Sequence, residues 1–102
     1  MTRVPVVDDS HFTQSQVASY FEEAGFEVVG KARNGKQAIG VVREHRPDVV
    51  TMDVKMPGMD GIEAVRRIMT EQPTPGVMLG RYTEEGTGET LVETARTATE
   101  NA

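Results

Sequence analysis

The sequence has 102 residues, with 11 basic and 16 acidic side chains and a formal net charge of −5. This length corresponds to one domain, and the acidic balance argues against a nucleic-acid-binding surface, which needs clustered lysines and arginines. The sequence has no cysteine, which excludes a disulfide scaffold and a thiol nucleophile. No apolar run approaches the roughly 18 residues of a membrane helix, and no secretory segment follows Met1. We therefore expect a cytoplasmic domain without a membrane partner.

Short β-branched runs alternate with helical apolar periodicity along most of the chain. In chain order, the pattern predicts strand Val4–Val7, helix Phe12–Ala24, strand Phe26–Gly30, helix Gly35–His45, strand Asp48–Met52, a loop from Lys55 to Asp60, helix Gly61–Glu71 and strand Gly76–Gly80. Strands separated by such helices imply βαβ units, and right-handed crossovers then favour an α/β fold in which a doubly wound parallel sheet carries helices on both faces.

The C-terminal segment, residues 84–102, has a different composition. It is rich in Thr and Glu, and its only large apolar side chains are Leu91 and Val92. With Ala95 and Ala98 they form a thin helical stripe, which predicts a short, frayed helix rather than a strand. We therefore divide the chain into a core at residues 1–83 and a C-terminal helix or tail at residues 84–102.

Three carboxylates lie at predicted strand ends: Asp8 and Asp9 after the first strand and Asp53 after the third. Ligands of open parallel sheets bind outside the carboxyl ends of the strands, so these acids converge if the two strands are neighbours. Oxygen-only ligands suit Mg²⁺, and an Asp beside the ion can act as a nucleophile. A single Asp at a strand end is more often a helix cap or turn former, and the spacing alone leaves both interpretations open.

Two segments carry a more specific signal: Val6-Val7-Asp8-Asp9-Ser10 and Pro47 to Gly61, which contains Asp-x-x-Met-Pro-x-Met-Asp-Gly from Asp53 onward. They resemble the receiver domain of two-component response regulators, and the resemblance runs from Arg3 to about Thr83. Within that family, Thr51-Met52-Asp53 and Thr83-Glu84-Glu85-Gly86 look most like the receiver domain at the front of chemotaxis methylesterases, especially archaeal ones. The esterase domain itself is absent from these residues.

The resemblance implies a flavodoxin-like sheet of order 2-1-3-4 and a phosphoacceptor role for Asp53. It further implies that Asp9 is a direct Mg²⁺ ligand, that Asp8 binds the ion through water and that the Lys55 carbonyl is a backbone ligand. The loop at Pro57 and Gly58 would turn that carbonyl inward. The implied partner is a sensor histidine kinase of the chemotaxis type, which would donate a phosphoryl group from a phosphohistidine, so the domain is a phosphoacceptor rather than an enzyme with an external substrate.

Four features depart from the family. Gly80 stands where the family carries a Ser or Thr whose hydroxyl follows the phosphoryl group. Two residues further on, Tyr82 is not itself a departure, because the family varies this position to tune partner access and dephosphorylation. We expect these residues to form neither the usual fifth strand, with the family's Lys, nor the last helix. Pro5 lies in the predicted central strand, where it cannot donate a ladder hydrogen bond. Without a fifth strand, the fourth strand becomes an exposed edge of the sheet, which favours self-association.

Two functional hypotheses follow from these departures. The chain is either a receiver that accepts phosphate on Asp53, or a truncated or degenerate receiver that acts as a phosphorylation-independent binding or assembly module. A third class, the phosphohydrolases with an Asp nucleophile, is disfavoured because Lys55 stands where a second Asp is expected.

Overall fold

The computed structural model describes residues 1–53, 58, 61–79 and 88–100. These residues form, in chain order, β1 (Arg3–Val7), α1 (His11–Glu23), β2 (Glu27–Ala32), α2 (Gly35–His45), β3 (Val50–Asp53), α3 (Gly61–Glu71), β4 (Gly76–Leu79) and α4 (Gly88–Glu100). All strand pairs are parallel, and the sheet order is β2-β1-β3-β4. The predicted α/β class and strand order are confirmed, and the described part of the chain contains no fifth strand.

Capping residues set the helix boundaries next to the carboxyl ends of the strands. The Ser10 hydroxyl accepts a hydrogen bond from the Thr13 backbone N–H at 3.3 Å, so α1 starts directly after the Asp8-Asp9 pair. The Asn34 side chain accepts from the Gln37 N–H at 2.8 Å and caps α2 in the same way. The chain leaves α1 through Gly25, whose φ of 88° favours glycine.

The sheet separates two apolar layers, because side chains alternate between its faces along each strand. In one layer, α1 and α4 pack on one face of the sheet. Its buried residues are Val4, Val6, Val17, Ala18, Phe21, Phe26, Val49, Leu91, Val92 and Ala95. The other contains α2, α3 and the opposite sheet face: Val7, Ala32, Ala38, Val42, Val50, Met52, Ala64 and Ile68. Each face of the sheet is thus covered by two of the described helices.

Helix α4 is longer and better packed than the frayed helix predicted from its thin apolar stripe. It has 13 residues, and Leu91, Val92 and Ala95 are buried beside α1. The Arg96 guanidinium lies over the Phe26 ring, 5.7 Å from its centroid. These three apolar side chains pack on the part of the sheet face that α1 does not cover. The C-terminal helix therefore completes the α1 layer of the core.

Pro5 lies in β1, between two neighbouring strands, and the sheet adjusts around it. The register with β2 passes from Val4–Val28 to Pro5–Gly30, so β2 holds one extra residue opposite the position that has no N–H. On the other side, the buried Thr51 hydroxyl donates to the Pro5 carbonyl at 3.1 Å. A local irregularity and one side-chain hydrogen bond therefore accommodate proline in a central strand.

Replacing Thr51 by valine should lower the free energy of unfolding by about 1–2 kcal/mol, because the Pro5 carbonyl loses its side-chain donor inside the protein. Far-UV circular dichroism in a urea titration is the suitable measurement, since the sequence has no Trp. Thr70→Val is the matched control: this hydroxyl bonds the Arg66 carbonyl on the surface, so the change should stay within about 0.5 kcal/mol. Equal stability of Thr51→Val and wild type would contradict the prediction.

Candidate functional site

The fold brings three carboxylates together at the carboxyl edge of the sheet. Asp8 and Asp9 follow β1, and Asp53 is the last residue of β3, which pairs directly with β1. One carboxylate oxygen of each residue lies within 4.8 Å of one oxygen of the other two. The convergence expected for neighbouring strands is therefore present.

The three acids differ in burial, from Asp8, which is 5% exposed, through the half-buried Asp53 to the exposed Asp9. Asp8 is also fixed by hydrogen bonds. Its backbone N–H donates to the Ala32 carbonyl at 3.0 Å, and its Oδ1 accepts from the Ser10 N–H at 2.9 Å. Asp8 is consequently the buried and hydrogen-bonded member of the cluster, and the side at Asp9 is open to solvent.

Burial raises the pKa of the Asp8 carboxyl above its ordinary value. The negative charges of Asp53 and Asp9 and a hydrogen bond with the Asp9 side chain act in the same direction, whereas the Ser10 N–H opposes them by stabilising the carboxylate. Without a cation, ionisation of Asp8 is therefore less favourable in the folded protein than in the unfolded chain.

The raised pKa of Asp8 predicts how stability depends on pH. A carboxyl that binds its proton more tightly in the folded state stabilises the fold below its unfolded pKa, and this contribution is lost as pH rises through the folded pKa. Asp8→Asn removes this loss and keeps an oxygen acceptor for Ser10. We expect the free energy of unfolding of the variant, measured without divalent cations, to increase relative to that of wild type as the pH rises from 4 to 7.

Wild type at pH 7 should also be stabilised by added Mg²⁺, and Asp8→Asn less so. Both series can be measured by urea unfolding at fixed ionic strength, with Na⁺ replacing Mg²⁺ as the control. A stability difference between the two proteins that is the same at pH 4 and pH 7 would refute the role assigned to Asp8.

The donor set fits a hard divalent cation. All three groups offer carboxylate oxygens, the type of ligand that Mg²⁺ and Ca²⁺ prefer. Ligands on opposite sides of Mg²⁺ are about 4.2 Å apart, so oxygens within 4.8 Å of one another can share one ion after small side-chain adjustments. Because Asp9 is exposed, further positions are open to water or to phosphate oxygens.

Gly61, the first residue of α3, lets this helix pack against the backbone of Asp53. A Cβ atom at position 61 would overlap the Asp53 carbonyl oxygen and would lie 3.1 Å from Cγ of Met52. No side chain larger than hydrogen fits without displacing either α3 or the end of β3. Gly61 thus contributes to the position of Asp53, a role that was not predicted from its place at the end of the family motif and the start of a helix.

Most of the other predicted site residues, Lys55, Pro57, Gly80 and Tyr82, lie outside the described residues. Gly58 is described: it is exposed and has a φ of 78°, a backbone conformation that favours glycine. The glycine thus suits the turn predicted for this loop, and the inward-facing Lys55 carbonyl stays a prediction.

Gln14 is a residue near the site that sequence analysis missed. It is 4% exposed, and with Val17, Ala18 and Phe21 it forms the buried face of α1. Its side-chain amide donates to the carbonyls of Asp8 and Ala32. The available signal was a polar residue at an apolar position of the i, i+3, i+4, i+7 stripe, a substitution that needs buried hydrogen-bond partners.

A parallel sheet of order β2-β1-β3-β4 with three acids at its strand ends is the arrangement expected of a receiver domain, and comparison with known proteins gives the same class. The model of the response regulator receiver domain family matches residues 4–98. The chain therefore belongs to this family. Within the family it is 54% identical over 83 residues to a protein-glutamate methylesterase/protein-glutamine glutaminase of Haloarcula marismortui, a match that covers 81% of this chain and 22% of that protein.

Solved structures give the same result. The response regulator domain of Thermotoga maritima CheB aligns with a TM-score of 0.90 and 31% identity, over 98% of this chain and 97% of that chain. The CheX–CheY–BeF3–Mg complex of Borrelia burgdorferi aligns with a TM-score of 0.74 and 30% identity, over 90% of this chain and 71% of that chain. The chain is thus of the CheB receiver type and spans about a quarter of the length of the curated methylesterases it matches.

No helix within the described ranges is both long and apolar enough to cross a bilayer.

Proposed function

We propose that this chain is a cytoplasmic receiver that takes a phosphoryl group on Asp53 from a phosphohistidine of a sensor histidine kinase, in a Mg²⁺-dependent reaction that belongs to chemotaxis. The observation that carries the proposal is the convergence of Asp8, Asp9 and Asp53 at the carboxyl edge of a receiver-type sheet. The Borrelia burgdorferi relative, which was solved with Mg²⁺ and BeF3, supports the metal, and the methylesterase relatives support the pathway.

In this proposal each acid has a separate role. Asp9, on the open side, would bind Mg²⁺ directly, Asp8 would bind it through water, and Asp53 would be both ligand and nucleophile. The Lys55 carbonyl would complete the protein ligands, through the turn at Pro57 and Gly58. Bound Mg²⁺ would neutralise the three carboxylates and the phosphoryl oxygens that approach them.

The chemistry of Asp53 is a phosphoryl transfer. One carboxylate oxygen of Asp53 forms a bond to phosphorus while the P–N bond of the phosphohistidine breaks in line, and the bonding electrons leave with the imidazole nitrogen. The product is an acyl phosphate on Asp53. The protein contributes mainly the position of the nucleophile and the neutralisation of charge, because little other covalent chemistry is needed.

The test is phosphoryl uptake from acetyl phosphate, followed by intact mass. Here the Asp53 oxygen displaces acetate as the P–O bond breaks. Wild type should gain one phosphoryl group with Mg²⁺ and none with EDTA, and Asp53→Asn should gain none under either condition. Asp48→Asn is the matched control, because Asp48 lies just before β3, at the opposite end of this strand from Asp53. Its side chain accepts a hydrogen bond from the Arg3 backbone N–H, which asparagine can also accept.

Failure of wild type to gain the group, with Mg²⁺ still bound, would overturn the phosphoacceptor proposal. The phosphorylation-independent assembly module would then be the better account, and β4 supplies a reason. In the described residues this strand pairs only with β3, and an unpaired edge can bind a strand of another chain. Light scattering would then show dimers of equal abundance for wild type and Asp53→Asn, and strict monomers would exclude this alternative too.

A further inference from the structure

Gln14 joins helix α1 to the ends of two strands beneath the acidic cluster. Its Nε2 donates to the Ala32 carbonyl at 2.9 Å, at the end of β2, and to the Asp8 carbonyl at 3.4 Å, just after β1. Among the described residues, Gln14 is the only buried polar side chain on a helix. Its amide uses both of its N–H donors on backbone carbonyls, which offsets the cost of its burial.

The hydrogen bonds of Gln14 begin where the sheet ladder stops. The last ladder contact of β1 with β2 is the Asp8 N–H on the Ala32 carbonyl, at 3.0 Å. The next backbone group, the Asp8 carbonyl, belongs to the peptide unit that connects Asp8 to Asp9, and its partner is Gln14. The orientation of this peptide unit sets the direction in which the Asp9 side chain leaves the backbone.

Asp8 is consequently held at its N–H by Ala32, at its carbonyl by Gln14 and at its carboxylate by Ser10. The Ala32 carbonyl accepts from both the Asp8 N–H and the Gln14 amide, so Gln14 is bonded to Asp8 and to the strand residue that holds Asp8. Removing the Gln14 amide leaves the Asp8 carbonyl without this donor, so the Asp8–Asp9 peptide unit is less constrained. The ladder above it stays intact.

We propose that Gln14 is a positioning residue, which orients the Asp8–Asp9 peptide unit so that both carboxylates face Asp53 and a shared cation. The inference rests on the proposed function, because it assigns a role in the same site. It differs from a purely structural role in a measurable way: the geometry of the acidic cluster changes while the protein stays folded.

The test compares Gln14→Met, which keeps the length of the side chain and removes both donors, with Gln16→Met on the same helix. Gln16 is a fair control because, within the described part of the chain, its amide bonds the Tyr20 hydroxyl, at 3.4 Å, and no strand end. Three quantities are measured: the dissociation constant for Mn²⁺ by electron paramagnetic resonance, the metal-free NMR shifts of Asp8, Asp9 and Asp53, and the free energy of unfolding. Gln14→Asn, whose amide is one methylene too short to reach both carbonyls, serves if Gln14→Met does not fold.

For the Gln14 variant we expect Mn²⁺ affinity at least tenfold below wild type and altered shifts at the three acids, under conditions where unfolding is negligible. Gln16→Met should match wild type in both. Unchanged affinity and shifts, with lower stability alone, would show a structural role and overturn the inference without touching the proposed function. If wild type binds no Mn²⁺, the proposed metal site fails, and the metal-free shifts still decide whether Gln14 orients the acids.

Discussion

The Gly61→Ala variant should lose about 3 kcal/mol of unfolding free energy and bind Mg²⁺ more weakly than wild type. The new Cβ overlaps the Asp53 carbonyl oxygen, which belongs to backbone and cannot move like the end of a flexible side chain. Alanine is more favourable than glycine in a helix by roughly 1 kcal/mol, but the overlap outweighs this gain. Relief requires α3 or the end of β3 to shift, and either movement displaces Asp53 from the other acids.

Gly40→Ala is the matched control for this change. Gly40 lies within α2, is exposed, and has nothing within 4 Å of the position that a Cβ would take. The same substitution should therefore stabilise the protein by about 0.5–1 kcal/mol through helix propensity alone. Urea unfolding and an NMR-monitored Mg²⁺ titration measure both effects. A Gly61→Ala protein as stable as wild type, with equal Mg²⁺ affinity, would show that the close approach of α3 to β3 is not needed.

Phe21→Ala is expected to cost about 3–5 kcal/mol, the largest loss from any single side chain discussed for this protein. Phe21 is fully buried in the α1 layer, and its ring meets the Phe26 ring edge to face, with 5.0 Å between centroids. Truncation leaves a cavity between α1, α4 and the sheet. Because domains of this size are stable by only about 5–15 kcal/mol, a substantial part of that margin is removed.

Phe12→Ala provides the comparison for Phe21→Ala. Phe12 is on the same helix but is 77% exposed, so its removal should change stability by less than about 0.5 kcal/mol. Urea midpoints from circular dichroism give both values. A loss below about 1 kcal/mol for Phe21→Ala would indicate that the α1 layer, and with it the packing of α4, is looser than the structure shows.

Much of the acidic site could be predicted from sequence because its residues follow strands directly. β-branched runs predict β1 and β3, and the family resemblance makes these strands neighbours. Parallel neighbours end on the same side of the sheet, so Asp8, Asp9 and Asp53 are expected to meet. Gly61 and Gln14 could not be assigned in this way. The role of each depends on an atom that is distant in sequence, namely the Asp53 carbonyl oxygen for Gly61 and the Ala32 carbonyl for Gln14.

The sequence by itself determined the α/β class, the strand order through the family resemblance, and the identity of the clustered acids, because periodicity and strand-end position are local properties of a chain. Only the tertiary structure decided that α4 packs beside α1, that β2 takes up an extra residue opposite Pro5, and that Asp8 is the buried member of its cluster. Each of these features depends on contacts between elements that are distant in sequence, and such contacts exist only in the packed domain.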